Sequence, residues 1–336
     1  MSNNRAFFNN FKSLPFKDAP LRSSSGSSEI ILLSINLTGT RLINSRTDKS
    51  IRIWKCFPDK LADPIIVEQP HAKAVESVSW HPKHEFTFVT VGRDDLFKVW
   101  KISGNSCLLE REIKVVKQGN EEKDSICQIV RYSNDGELLA VVDRDSTVSV
   151  YSTSSYTKVH EFQVNEHVYA LEWFNKDHDY FVLGLHDGTA PVYKVVDRSA
   201  GKDETLVVDL LHTIRGHRSS ITAIAVDPRG KYFVIGSNEG VASIWSTSSM
   251  LNVNAITSID ESVASIDISR DGTYIAITFD SGSNARIFES SSIEEIYEVE
   301  NSSSGNLVLS TFKWFPNKTG FVFATEDGKV MGYSKK

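Results

Sequence analysis

Short runs of alternating apolar and polar residues follow one another along the chain and are separated by turn residues. Residues 75–80, 86–91 and 232–235 are examples, and turns such as 81–83, 133–136 and 270–272 carry Pro, Asn, Asp or Gly. A period of two is typical of antiparallel strands with one buried face, and the turn residues indicate short connections. The pattern therefore predicts an all-β protein of many short strands.

One of these predicted strands ends in an aromatic residue and recurs seven times. The seven aromatic residues are Trp54, Trp100, Tyr151, Tyr193, Trp245, Phe288 and Tyr333. They follow one another at intervals of about 46 residues, and four strands in such an interval form one blade of a β-propeller. The length alone would suggest two domains, but the repeat predicts a single seven-bladed β-propeller over residues 29–336.

The last repeat stops at Tyr333, one strand short of a complete blade. An unpaired strand edge promotes association with other chains, so we expect another segment to cover it. Residues 1–20 contain the spaced apolar side chains Phe7, Phe8, Phe11, Leu14 and Phe16. We predict that part of this segment pairs beside residues 328–333 and closes the ring, with the Ser-rich residues 21–28 as a connector. A disordered N-terminal tail is the alternative.

Charge and cysteine content narrow the class of protein. The chain has 43 acidic and 37 basic residues and a net charge of -6, which disfavours direct binding to phosphate backbones. Cys56, Cys107 and Cys127 have no metal-ligand spacing, which fits a reducing compartment. The chain shows neither a long apolar run nor a secretory signal, so we expect a soluble intracellular protein without a membrane partner.

An acidic residue lies in the tight turn before most of the aromatic-ended strands. These turn acids are Asp48, Asp94, Asp145, Asp187, Glu239 and Asp327. With the aromatic residues they give a pattern that resembles the WD-repeat family, although the Trp-Asp dipeptide itself is absent. In that family a hydrogen-bond relay joins the turn acid through a His and a Ser or Thr to the Trp. The resemblance implies a complete relay only in the second blade, as Asp94, His71, Thr90 and Trp100.

The relay residues are interpreted as structural rather than catalytic. A catalytic group is needed once, whereas a packing device recurs in every blade, and buried polar groups need hydrogen-bond partners. Phosphate-binding Gly-rich loops, His-Glu-x-x-His, Gly-x-Ser-x-Gly and paired-cysteine zinc patterns are absent from the sequence. His81 and His84 are conceivable metal ligands, but they lack partners at suitable spacing. We expect no catalysis, no cofactor and no small-molecule substrate.

Residues 161–278 show a narrower resemblance, to the WD-repeat subunits of the THO (TREX) complex. The stretches that carry it are residues 162–165, 170–173, 227–237, 241–245 and 263–272. The resemblance implies a non-enzymatic nuclear scaffold in an assembly that couples transcription elongation to messenger RNA packaging and export. It also implies docking onto the largest THO subunit, a helical scaffold, within a complex that engages a DEAD-box RNA helicase.

Two other binding functions stay open. One is membership of another nuclear assembly, such as a chromatin-modifying complex or a ubiquitin ligase in which the propeller acts as adaptor. The other is an RNA-binding propeller, supported by the basic residues Arg41, Arg46, Lys49, Arg52 and Lys55 of the first blade. Alternate residues of a strand face opposite sides, so these side chains need not form one patch. We therefore expect RNA to be contacted at most indirectly.

The resemblance also indicates where a protein partner would bind. Family geometry places the residue before each turn acid on the upper surface of the ring, which gives Thr47, Arg93, Arg144, His186, Asn238 and Glu326. Arg93 and Arg144 lie on neighbouring blades and are predicted to accept partner carboxylates, since Arg is enriched at interface hot spots. The alternative is that both are ordinary solvated charges.

Overall fold

The protein consists almost entirely of short antiparallel strands. The computed structural model describes residues 2–17, 28–58, 60–117, 125–175, 179–197, 206–280, 284–299, 311–324 and 329–335. In this part of the chain, the strands form seven four-stranded sheets, which are the seven blades. The predicted seven-bladed β-propeller is therefore confirmed, and the two-domain estimate from length is wrong. Among the described residues, no helix has the length and apolar character required to cross a membrane.

A short helix and one strand precede the first blade, namely α1 (Ser2–Phe8) and β1 (Phe11–Lys17). The first blade contains β2 (Ile30–Ile35), β3 (Arg41–Arg46), β4 (Ile51–Cys56) and β5 (Leu61–Val67). The second contains β6 (Ser77–Trp80), β7 (Thr87–Val91), β8 (Leu96–Ser103) and β9 (Ser106–Lys114). The third contains β10 (Cys127–Tyr132), β11 (Leu138–Asp143), β12 (Thr147–Ser152) and β13 (Lys158–Gln163).

The remaining blades repeat the same order of four strands. The fourth contains β14 (Val168–Trp173), β15 (Tyr180–Leu185), β16 (Thr189–Asp197) and β17 (Leu206–Arg215). The fifth contains β18 (Ile221–Val226), β19 (Tyr232–Ser237), β20 (Ala242–Ser246) and β21 (Asn252–Ile256). The sixth contains β22 (Val263–Ile268), β23 (Tyr274–Phe279), β24 (Ala285–Glu289) and β25 (Glu295–Val299). The seventh contains β26 (Phe312–Trp314), β27 (Gly320–Ala324) and β28 (Lys329–Lys335).

The hydrophobic core lies between the blades. The buried apolar side chains form seven clusters, and each cluster joins two neighbouring blades. Phe97 of the second blade, for example, packs edge-to-face on Tyr151 of the third, with ring centroids 4.9 Å apart. Because the second strand of a blade is covered on both faces, β3, β15 and β19 are buried along nearly their whole length. The outer strand β9 is largely exposed.

A bulge interrupts the pairing of the outer strand in the first six blades. It lies beside the aromatic residue of the third strand, for example between Val99 and Trp100 and between Ile244 and Trp245. A bulge increases the local twist of a strand, and a twisted edge is a poor template for another chain. The repeat thus protects its own exposed edges.

The N-terminal segment closes the ring, as predicted. Strand β1 pairs antiparallel with β28, from Phe11 opposite Lys335 to Lys17 opposite Lys329, and completes the seventh sheet. Just before β1, helix α1 ends in Phe8, whose side chain is fully buried. The alternative of a disordered N-terminal tail is therefore excluded for residues 2–17. Residues 18–27, which include most of the predicted connector, lie outside the described residues.

Candidate interaction surface

Four side chains of the second blade form a continuous buried chain of hydrogen bonds. His71 Nδ1 donates to the Asp94 carboxylate at 2.9 Å, and Thr90 Oγ1 lies 2.8 Å from His71 Nε2. Trp100 Nε1 donates to the same Thr90 oxygen at 2.9 Å. Burial opposes ionisation of Asp94, but hydrogen bonds from His71 and from two backbone amides outweigh it and lower the pKa of the carboxyl below its usual value. The structure thus brings together the four residues named for the second-blade relay.

The fifth blade carries a second such chain, which corrects the expectation of only one. His217 lies between Glu239, at 3.3 Å from Nδ1, and Ser243, at 2.6 Å from Nε2, and Trp245 Nε1 donates to Ser243 at 2.7 Å. Burial lowers the pKa of His217, although the hydrogen bond to Glu239 acts in the opposite direction. The hydroxyl comes from the third strand here rather than the second, and for this reason a search by strand position misses it. The Gly216-His217 dipeptide was the available signal.

The other tight-turn acids differ in what they bind. Asp48 accepts from the backbone and hydroxyl of Ser50, and Asp187 accepts from Thr189 in the same way. In the third blade, this turn is organised by Asp143 and not by the predicted Asp145. The Asp143 carboxylate accepts from the amides at positions 145 and 147, from Ser125 Oγ at 2.6 Å and from Lys117. Asp145, half exposed, pairs with Lys117 at 2.7 Å. Asp327 lies outside the described residues.

The basic residues of the first blade do not form a surface patch. Arg46 and Arg52 are 3% and 1% exposed, respectively. Arg52 lies 3.3 Å from Asp48, and Arg46 donates to the carbonyl of Ser28 at 2.7 Å. These two guanidinium groups are therefore part of the interior of the blade, and the interpretation of this segment as an RNA-binding strip loses two of its five residues.

The residues predicted for the upper surface lie at the b–c turns, which connect the second and third strands of each blade. Of the six, Thr47, Arg93, Arg144, His186 and Asn238 are described and all five are exposed, whereas Glu326 lies outside the described residues. In four blades the backbone N–H at this position donates a hydrogen bond to the carbonyl oxygen of the residue just before the first strand of the same blade. Examples are the bonds from Arg144 to Ile126 and from His186 to His167. The upper surface is thus a rigid backbone frame that presents a different side chain in each blade.

Arg93 and Arg144 share a carboxylate that sequence reasoning missed. Glu76 forms an ion pair with Arg93 Nε, and the charge of Arg144 also acts on it. Burial raises the pKa of Glu76, although both arginines favour its charged form. A partner carboxylate at this site would therefore have to compete with Glu76 for Arg93, because the two acids would share the same guanidinium group.

Neighbouring blades are linked across the upper surface by polar side chains. Ser220 Oγ lies 2.9 Å from His186 Nδ1, and the Tyr169 hydroxyl is 3.3 Å from the same nitrogen. Ser262 Oγ donates to Asn238 at 2.6 Å in the next pair of blades. His186 and Asn238 are therefore held in fixed orientations, as expected of side chains that present a preformed surface.

The channel at the centre of the ring is lined by charges that pair with one another. Arg131 Nε donates to Glu172 at 2.9 Å, and Lys313 donates to Asp267 at the same distance. Within the described ranges, His, Cys, Asp and Glu side chains nowhere form a group of three that could hold a metal ion. His81 Nδ1 accepts hydrogen bonds from the backbone amides of residues 83 and 84, so the imidazole of His81 has a structural role in this turn.

Comparisons with known families point to one kind of repeat. Residues 63–101 and 208–246 match the family described as WD domain, G-beta repeat. Residues 89–176 match the family described as anaphase-promoting complex subunit 4 WD40 domain. These stretches lie in the first to fifth blades of the ring described above.

Individual relatives extend the similarity to nearly the whole chain. This chain is 24% identical over 324 residues to THO complex subunit 3 of Arabidopsis thaliana, and the alignment covers 94% of this chain and 92% of that protein. It is 20% identical over 330 residues to Protein TEX1 of Saccharomyces cerevisiae, covering 92% and 72%. A third relative is WD repeat-containing protein AAC3 of Dictyostelium discoideum, 26% identical over 65% of this chain and 46% of that protein. Two of the three alignments thus span all seven blades.

Proposed function

We propose that this chain, which belongs to the WD-repeat β-propeller family and resembles THO complex subunit 3, is a non-enzymatic scaffold subunit of a THO-type complex. The observation that carries the proposal is the extent of the similarity, which covers 94% of this chain and 92% of the relative. A match that includes every blade is expected when two proteins share the whole propeller, and not one repeat, as subunits of the same kind of assembly. Identity of 24% alone would support only the fold.

In this role the protein acts in the nucleus, where the complex couples transcription elongation to the packaging and export of messenger RNA. Its partners are the largest, helical THO subunit and the other THO subunits, and the assembled complex engages a DEAD-box RNA helicase. The rigid upper surface described above suits such docking because loops on a fixed frame lose little entropy on binding. RNA is reached through these partners, in keeping with the net charge of -6.

Affinity purification of the tagged protein from its own cells, followed by mass spectrometry, tests the proposal directly. We expect the THO subunits to be recovered together, and imaging of the same tagged protein to place it in the nucleus. Recovery of a different stable assembly without THO subunits would contradict the proposal. A tag on an unrelated nuclear propeller serves as the control for nonspecific recovery.

Charge reversal tests whether the upper surface takes part. The double variant Arg93→Glu, Arg144→Glu places repulsive charges beside Glu76, and we expect it to reduce recovery of the helical subunit at least about tenfold. The matched control is Arg111→Glu with Arg215→Glu, since both residues are exposed and lie on outer strands. Equal recovery with the two double variants would remove Arg93 and Arg144 from the interface and leave membership of the complex to the first experiment.

A second candidate is a subunit of another nuclear assembly, such as a ubiquitin ligase or a chromatin-modifying complex. The observation that favours it is the match of residues 89–176 to the WD40 domain of anaphase-promoting complex subunit 4. The match lies within the second to fourth blades, so it accounts for less of the chain than the THO similarity does. Recovery of ligase or chromatin-modifying subunits in the affinity purification would favour this candidate.

A further inference from the structure

An open bowl lies on the lower face of the ring, opposite the surface discussed above. The lower face carries the a–b turns, which connect the first and second strands of each blade. The bowl has a volume of about 940 Å³ and is lined by turns of the first, fourth, fifth, sixth and seventh blades. Leu37, Arg229, Arg270 and Asn317 are exposed lining residues. The volume is within the range of about 300–1,000 Å³ that is usual for ligand-binding clefts.

Carboxylates of the bowl are held inward by hydrogen bonds, and one of its two exposed arginines, Arg229, forms an ion pair with such a carboxylate. Asp227 is fully buried and accepts from the backbone and the side chain of Arg229, at 3.1 and 3.2 Å. Asp267 accepts from Lys313 at 2.9 Å and from the backbone of Trp314 at 2.6 Å. Arg270 and Arg229 remain exposed at the rim. Within the described residues, the charge of Arg270 is not offset by an ion pair, so an incoming molecule meets an exposed cation at this rim although the protein as a whole is acidic.

The apolar part of the rim is aliphatic rather than aromatic. Leu37 is 65% exposed, among the most exposed large apolar side chains of the described residues, and Pro228 is exposed beside Arg229. The aromatic lining residues Trp314 and Phe315 are only 9% and 5% exposed. Single-stranded nucleic acid is held by stacking of bases on exposed aromatic rings, which the described lining does not offer. A peptide with acidic and aliphatic side chains complements both the charge and the apolar surface.

We propose that this bowl is a second docking site, which binds an acidic, leucine-containing segment of a partner protein. The partner's carboxylates pair with Arg270, and its aliphatic side chains pack on Leu37. The proposal concerns a different face of the ring from the Arg93 and Arg144 surface, and it does not depend on which complex the protein joins. No single repeat contains the site, because Leu37, Arg229 and Arg270 belong to the first, fifth and sixth blades.

Fluorescence anisotropy with a designed probe tests the site on the full chain. The probe is a fluorescein-labelled peptide in which Asp and Glu alternate with Leu. We expect it to bind, and we expect Arg270→Glu and Leu37→Asp each to weaken binding at least about tenfold. The matched controls are Arg218→Glu on the upper face and Leu251→Asp on the rim of the fifth blade, where Leu251 is 66% exposed. Neither control should change the affinity.

Three further probes separate the contributions and the alternative ligand. A peptide with Lys in place of the acids and one with Ser in place of Leu should both bind at least about tenfold more weakly. An oligouridylate RNA should bind more weakly than the acidic peptide. Failure of the acidic peptide to bind, equal binding by Arg270→Glu and Arg218→Glu, or tighter binding of the RNA would each overturn the proposal. Unchanged thermal unfolding of the variants is expected, since all four positions are exposed.

Discussion

Replacing Phe8 with alanine tests how strongly the N-terminal segment stabilises the ring. The Phe8 side chain is fully buried between the sixth and seventh blades. Its ring centroid lies 5.0 Å from that of Tyr274, 5.2 Å from Phe11 and 5.3 Å from Tyr297. The substitution leaves a cavity where helix α1 joins the closing strand, so it weakens the contact that seals the ring.

The size of the effect follows from the burial. Truncation of a fully buried Phe to Ala costs about 3–5 kcal/mol, the sum of lost transfer free energy and of the cavity left behind. Folded domains are stable by only about 5–15 kcal/mol, so this loss is a large part of the total. With a denaturant slope of about 3 kcal/mol/M, the urea midpoint should fall by about 1–1.7 M.

Urea unfolding followed by tryptophan fluorescence measures this change. The matched control is Phe86→Ala, because Phe86 is 39% exposed and should cost less than about 1.5 kcal/mol. Equal midpoints for the two variants, or a Phe8→Ala variant within about 0.5 kcal/mol of the unchanged protein, would refute the reasoning. In that case the N-terminal segment would not belong to the cooperative unit.

Further substitutions probe the relays, the His81 turn and a tight turn between strands. Thr90→Val and Ser243→Ala each strip two buried partners of a hydrogen bond, so each should lower the free energy of unfolding by about 1–3 kcal/mol in urea titrations, and a loss below about 0.5 kcal/mol would contradict the relay. Burial, with nearby positive charges, lowers the pKa of His81 in the folded protein to about 4 from 6.5. As pH drops, the imidazole therefore binds its proton in the unfolded chain before it does so in the folded protein, and the free energy of unfolding falls between the two pKa values. Between pH 7 and 5 the unchanged protein should lose about 1–2 kcal/mol more than His81→Gln, and parallel pH profiles would contradict this. Gly188 and Gly104 both have positive φ, at 81° and 60°, but only at Gly188 would a Cβ meet backbone oxygen, at 2.5 Å. Gly188→Ala should therefore cost about 2 kcal/mol more than Gly104→Ala, and equal thermal stability would contradict the steric argument.

Most of the fold could be predicted because the same sequence pattern recurs seven times along the chain. The aromatic-ended strand marks each blade, and its interval specifies four strands whatever the individual substitutions are. The closing strand was predictable as well, since the last blade lacked one strand and an open edge is unfavourable. The relay of the second blade could also be named, because the resemblance to the WD-repeat family implies its residue types, which Asp94, His71, Thr90 and Trp100 supply.

The tertiary structure decided what depends on the direction of individual side chains. Asp143 and Asp145 are two residues apart and equally acidic in sequence, yet the backbone turns only Asp143 inward to organise the turn. Arg52 has the same charge as Arg270, but one is buried beside Asp48 and the other is exposed at the lower bowl.

The sequence by itself therefore determined the number of blades and the way the ring closes, because both follow from a periodic pattern along the chain. Only the tertiary structure decided which charges lie inside, which pair with one another, and which meet at the lower bowl. Those outcomes depend on contacts between blades. Leu37 and Arg270, for example, are far apart in sequence, and only the closed ring brings both to one site.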